Sequence, residues 1–280
     1  DKNIDLSKAS KEEYIEFVKT FGYKLINAIN TNAVATPHGI IASAVLNCSK
    51  NSFAKKQMIA RVDTYMNILN FMRAEVSDAL LVDPDNALNA VINDFILRNF
   101  IELADEDDKD ITENTIFIVK DNKRAILDYY KNSVISFFVH FAYTAVAILE
   151  TDRFQFSSSD LVSRYRFLEK IFTDEFFFDE ETTYEENIST CIKWFVNDGI
   201  LVPDSSELDM YRITSQGLRK LKWVAAFLQP FFESYKTTLL YFEKYKAEKH
   251  EGKERVKKIQ SLGAKLYKAK IITFKESLSQ

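Results

Sequence analysis

Glycine, proline, cysteine and histidine are scarce: 280 residues hold six Gly, four Pro, two Cys and three His. Six scattered glycines cannot furnish a phosphate-cradling loop or a dinucleotide fingerprint, and neither pattern nor Gly-x-Ser-x-Gly occurs. So little Gly and Pro also excludes collagen-like repeats, disordered low-complexity tracts and turn-rich β-sandwiches. Cys48 and Cys191 cannot build a disulfide framework, which implies a reducing compartment, and no paired base marks either as an activated nucleophile. His38, His140 and His250 lie about a hundred residues apart, without His-x-x-x-His or Cys-x-x-Cys, so a zinc site is not expected. The acidic run Asp105 to Asp110 lacks the central Gly and closing Glu of a calcium loop and reads as a solvated loop. Neither a metal nor another cofactor is called for. The longest uncharged run, Ser133 to Leu149, has 17 residues, short of the ~20 that a membrane-spanning helix needs. It predicts a buried central helix, with His140 hydrogen-bonded along a narrow polar stripe of Ser133, Ser136 and Thr144. Residue 1 is Asp, with no charged-then-apolar leader behind it, so a processed product or a piece of a longer chain is expected.

What is abundant is apolar and aromatic. Hydrophobic residues make up 46%, with 23 Phe and 13 Tyr, enough for one large core or two ordinary ones. Ser10 with Glu13 has capping-box spacing, and Tyr14, Phe17, Val18, Phe21 and Leu25 follow on one face, predicting a helix over 8–30. Pro37 and Gly39 break it before the apolar segment Ile40 to Leu46. Helical spacing resumes from about Phe53 (Ile59, Val62, Met66, Leu69) and again after Pro84 (Leu88, Val91, Ile92, Phe95). Thr115 to Val119 is a short strand by composition, and a long helix is expected from Arg124 to Glu150.

The same order then returns. Ser157 with Asp160 and Thr183 with Glu186 offer two more capping boxes, and Ile188, Cys191, Ile192 and Phe195 repeat the earlier spacing 100 residues on. The exits correspond as well, Asn99-Phe100-Ile101 in the first copy and Gly199-Ile200-Leu201 in the second. A strand over Tyr211 to Thr214 and a long helix from Leu218 to Tyr245 complete it. Helix, helix, β-ribbon, long helix is the order of a winged-helix unit. The expected fold is therefore mainly α with short β-ribbons, as tandem winged-helix-like repeats. Its divisions are a helical lead-in (1–50), a first repeat (51–151), a second repeat (152–246) and the start of a truncated third helical unit (247–280).

Charge bears on partners. Lys244 to Lys270 holds ten Lys or Arg against three Glu, a local +7 that leaves −11 on the rest of a chain with net charge −4. The helices that would enter a DNA groove are acidic, with Glu185, Glu186 and Asp198 against Lys193 in the second copy, so nucleic acid is not an expected partner. Lys253, Arg255, Lys257 and Lys258 are the candidates for contact with anionic lipid or an acidic partner.

Three segments carry a resemblance: Asn32-Ala33-Val34-Ala35-Thr36-Pro37 with the small apolar run to Leu46, Leu127-Asp128-Tyr129-Tyr130-Lys131-Asn132, and Phe195-Val196-Asn197-Asp198-Gly199-Ile200-Leu201. In order and spacing, from about residue 25 to 245, they resemble the C-terminal half of the membrane-associated glycerol-3-phosphate acyltransferases, the bacterial PlsB type with mitochondrial relatives. The resemblance implies acyl transfer from acyl-carrier protein or acyl-CoA to the 1-hydroxyl of glycerol 3-phosphate, yielding lysophosphatidate for phospholipid synthesis. The family's catalytic His-x-x-x-x-Asp is absent: five residues after His38, His140 and His250 stand Ser43, Ala145 and Arg255. The resemblance thus implies an accessory region that follows a catalytic domain, is inactive alone and holds no catalytic residue. Its implied partners are that upstream domain, the membrane surface on the cytoplasmic face and acyl-carrier protein, with this stretch itself soluble. The competing reading is a free-standing tandem winged-helix module that binds proteins.

Overall fold

The computed structural model describes residues 10–48, 51–105, 111–176, 182–245 and 251–278. Helix α1 (Lys11–Thr31) opens on the predicted capping box, Ser10 Oγ accepting from the Glu13 amide and the Glu13 carboxylate from the Ser10 amide. Thr36 caps α2 (Pro37–Leu46), where Pro37 loses no helical hydrogen bond because it stands in the first turn.

The chain then runs through β1 (Ser52–Ala54), α3 (Lys55–Met72), α4 (Asp78–Val82), α5 (Pro84–Leu97), β2 (Ile101–Leu103) and β3 (Ile116–Val119). The three strands form an antiparallel sheet in the order β1-β3-β2, with Phe53 opposite Phe117 and Ile101 opposite Val119. Phe53 belongs to a strand rather than to the expected helix, because three residues are too few to show a period.

A second copy follows after α6 (Arg124–Asn132) and α7 (Val139–Glu150): β4 (Gln155–Ser157), α8 (Ser159–Ile171), α9 (Tyr184–Asn197), β5 (Leu201–Pro203) and β6 (Met210–Ile213). Its sheet has the corresponding order β4-β6-β5. The 100-residue offset is kept: α5 and α9 begin and end 100 residues apart, as do β2 and β5. Leu88, Val91, Ile92 and Phe95 are buried, and so are Ile188, Cys191, Ile192 and Phe195. Both helices also stop alike. Asn99 (φ 53°) and Gly199 (φ 68°) take the left-handed conformation, and the next amide reaches back to Phe95 and Phe195 respectively, each at 2.8 Å. That wrap satisfies carbonyls left open at a helix end and turns the chain into the strand.

Neither long helix is continuous. The run expected from Arg124 to Glu150 is α6, a 3₁₀ turn at Ile135–Phe137, and α7. Val134, Ile135, Phe138 and Val139, at and beside the turn, are all buried. The run from Leu218 is α10 (Gly217–Ala225), a 3₁₀ turn at Ala226–Leu228, and α11 (Gln229–Lys244). Here Pro230 lacks the amide that would continue the ladder. Helix α2 packs on α3, α5 and α6, while α7 packs on α8, α9 and α10. One apolar cluster runs through both copies from Ala35 to Phe231. Helix α12 (Gly252–Lys268) lies along α11, and the chain then folds back to a 3₁₀ turn at Lys275–Leu278.

Candidate functional site

The four basic candidates fall on α12 but do not form one group. Its inner face is set by Ile259, Leu262, Gly263 and Leu266. At Gly263 a Cβ would come 2.3 Å from a Leu278 methyl and 3.2 Å from Thr237 Cγ2, so a larger residue here would have to displace the Leu278 side chain. At 100° per residue, Lys253, Lys257 and Lys258 point outward and are exposed. Arg255 turns toward α11 instead, its guanidinium 5.9 Å from the Phe242 ring centroid. Two lysines beyond the predicted cluster, Lys265 and Lys268, complete the outer strip and are exposed. Helical phase alone could have found them.

Behind α12 the returning segment is held by buried charge. Glu233 of α11 accepts hydrogen bonds from the amides of Thr273 and Phe274, both 2.8 Å, and from Ser277 Oγ at 3.0 Å. Glu276, 1% exposed, takes a two-pronged contact from Arg124 of α6, with Nε at 2.5 Å and an Nη at 2.8 Å. The other Nη of Arg124 donates to Asn51 at 3.2 Å. Burial pulls the guanidinium toward its neutral form, but the hydrogen bond and charge of Glu276 outweigh it and hold Arg124 above its ordinary value. A cavity of about 160 Å³ lies between α11, α12 and the last turn, lined by Ser234, Thr237, Thr238 and Gln260 among others. It has room for a few waters and falls short of the roughly 300 Å³ of a small-molecule site.

The three segments that carry the resemblance are joints. In the first, the Ala35 amide donates to the Glu75 carbonyl, the Ser77 amide donates to the Ala35 carbonyl, and Thr36 caps α2. In the second, Asp128 and Lys131 form a buried ion pair at 2.8 Å, Asn132 donates to the same carboxylate, and Tyr130 packs near the rings of His38, Phe95 and Phe100. In the third, Asp198 accepts from Lys220 of α10 at 2.6 Å and from Asn67 of α3 at 3.2 Å, tying the second copy to the first.

No described residues make a catalytic constellation. His38 Nε2 stands 3.6 Å from Asp94, whose other oxygen takes Arg98 Nε at 2.8 Å. His140 Nδ1 is 2.5 Å from the Tyr165 hydroxyl of α8, so its ring is hydrogen-bonded, but to a neighbouring helix rather than to the expected stripe: Thr144 donates to the His140 backbone carbonyl and Ser133 to that of Tyr130. Cys191 is buried, and burial pushes its thiol up to about 12 despite the neighbouring Thr144 hydroxyl, which acts the other way. Among the described residues no three His, Cys, Asp or Glu gather as metal ligands, and no helix is long and apolar enough to cross a membrane. His250 and the acidic loop beyond Asp105 lie outside the described residues.

A model of the glycerol-3-phosphate acyltransferase C-terminal region matches residues 3–280. The chain belongs to that family. Two relatives are dihydroxyacetone phosphate acyltransferases. That of Oryctolagus cuniculus is 26% identical over 137 residues, 49% of this chain and 19% of the relative. That of Homo sapiens is 30% identical over 112 residues, 40% of this chain and 16% of the relative. Each match thus spans less than a fifth of the acyltransferase it aligns with.

Proposed function

We propose that this member of the glycerol-3-phosphate acyltransferase C-terminal family is the accessory helical region of a membrane-associated glycerol-3-phosphate 1-O-acyltransferase. Its two units, strand–helix–helix–strand–strand with one extra short helix, α4, in the first, which we read as winged-helix-like, pack against a catalytic domain that lies upstream in the full-length enzyme. That enzyme moves an acyl group from a thioester to a primary hydroxyl, forming the ester bond of lysophosphatidate and releasing the thiol. The observation that carries the reading is a family match over nearly the whole chain, in a sequence where no histidine has Asp five residues on. The joints described above fit a part whose task is shape: its buried charges hold helices together instead of facing a cleft. The outer lysines of α12 are its contact to an anionic surface, lipid or acidic partner.

The test is direct. The purified 280-residue chain, given acyl-CoA or acyl-carrier protein and glycerol 3-phosphate, is expected to form no lysophosphatidate, whereas the full-length protein forms it. Product from the chain alone would overturn the accessory role. A full-length protein that acylates only dihydroxyacetone phosphate would replace the acceptor and keep the rest.

A further inference from the structure

Helix α1 presents an apolar face that nothing among the described residues covers. Tyr14, Ile15, Val18, Phe21, Leu25 and Ile29 are 48–61% exposed, and no α1 side chain joins the core. A helix of 21 residues with so much apolar surface in water gains nothing from tertiary packing, which is where most helical stability comes from. Contiguous exposed apolar surface of this kind marks an interaction site.

We propose that this face of α1 is the surface on which the upstream catalytic domain of the full-length acyltransferase packs, with its apolar side chains buried in a groove of that domain. Three observations select this occupant. At 100° per residue these six, with Phe17 and Ile26 on their flanks, span an arc of about 180°, wide enough to face a globular core and broader than the two-position seam of a paired coiled coil. The polar side sets Lys19 and Lys24 against Glu12, Glu13 and Glu16, so it lacks the cationic excess that draws interfacial helices to anionic lipid. Finally, the family is by its description a C-terminal region, and each relative has more than four-fifths of its length outside the match, so such a protein has a large body of chain to supply the groove. Because the linkage is covalent, the effective concentration is high and a modest apolar patch suffices. The inference rests on the accessory reading above and names the surface it uses.

Hydrogen exchange tests it, with α1 amides followed in the 280-residue chain and in the full-length protein that carries it. Docking predicts that they exchange at least about 100-fold more slowly in the full-length protein, and that V18S/F21S/L25S removes this protection while the amides of α7 and α9 stay protected. Equal exchange in both proteins would overturn it. So would a 280-residue chain that dimerises through α1, or that binds phosphatidylcholine vesicles until V18S/F21S/L25S is introduced. Failure of the accessory reading looks different: α1 protected in a full-length protein that transfers no acyl group.

Discussion

Phe138 and Phe227 stack nearly parallel, their ring centroids 4.6 Å apart and their planes 14° from coplanar. Each lies where a long helix breaks, Phe138 after the turn that ends α6 and Phe227 inside the turn between α10 and α11. Tyr65 of α3 closes the triangle, its ring 5.0 Å from Phe227 and 5.4 Å from Phe138. Its hydroxyl accepts from Asn47 at 2.9 Å and donates to the Trp223 carbonyl at 3.2 Å. The two breaks are therefore one joint, and each copy of the repeat supplies half of it.

Removing either ring should leave a cavity that the tethered turns cannot close. F138A and F227A are each expected to lower stability by about 3–5 kcal/mol in urea unfolding. The double variant should lose less than the sum, because the second deletion enlarges an existing void. Strict additivity would mean the two rings are not coupled.

The buried pair of Arg124 and Glu276 makes an asymmetric prediction. R124M strands a carboxylate in the core and should cost about 3–5 kcal/mol, while R124M/E276M removes both charges and should recover most of that loss. Urea midpoints of the two variants decide the matter. A double variant as unstable as the single one would mean that the hydrogen bonds, rather than charge burial, set the cost.

Much of this was legible in the sequence. The capping boxes at Ser10 and Thr183 form as their spacing requires, and the 100-residue offset survives into matching helix ends. What could not be read was anything shorter than one period, or set by distant partners. Strands β1, β2, β4 and β5 have three residues each, too few to alternate. The break before α7 carries no Gly or Pro, so from sequence alone the stretch looks like an uninterrupted apolar helix. Of the candidate site, charge density located α12 and helical phase separates Arg255 from the outward lysines, but its partner Phe242 on α11 could not be read from sequence. Glu276 and Arg124 are 152 residues apart, and no local pattern links them.

The cysteines give a pH prediction. Burial raises Cys191 from an ordinary 9.0 to about 12 and raises Cys48 as well, so both thiols stay protonated in the folded protein at pH 8. A thiol reagent should modify neither until denaturant is added. The sign for stability follows from the raised value: the Cys191 contribution is complete below the unfolded thiol's range near 9 and is lost as pH rises toward 12. C191A should flatten that alkaline limb, and rapid modification of the native protein at pH 8 would show the site to be open.

The lysine strip of α12 is the surface most exposed to a simple test. Lys253, Lys257, Lys258, Lys265 and Lys268 form no ion pair among the described residues, and Glu254 is the acid nearest them in sequence. Lysines are point charges on flexible stems, suited to a fluid field of phosphates rather than to the forked recognition that arginine gives. Each basic residue near an anionic bilayer contributes about 1 kcal/mol, so K257Q/K265Q/K268Q should weaken binding to phosphatidylglycerol vesicles by roughly 100-fold. Salt at about 0.5 M should have a similar effect, because the face carries no apolar anchor. R255Q is expected to leave vesicle binding nearly unchanged, since that guanidinium lies over Phe242. Binding that ignores salt and the three lysines would remove α12 from any role at the membrane, and salt-sensitive capture of acyl-carrier protein without vesicle binding would assign the strip to an acidic partner.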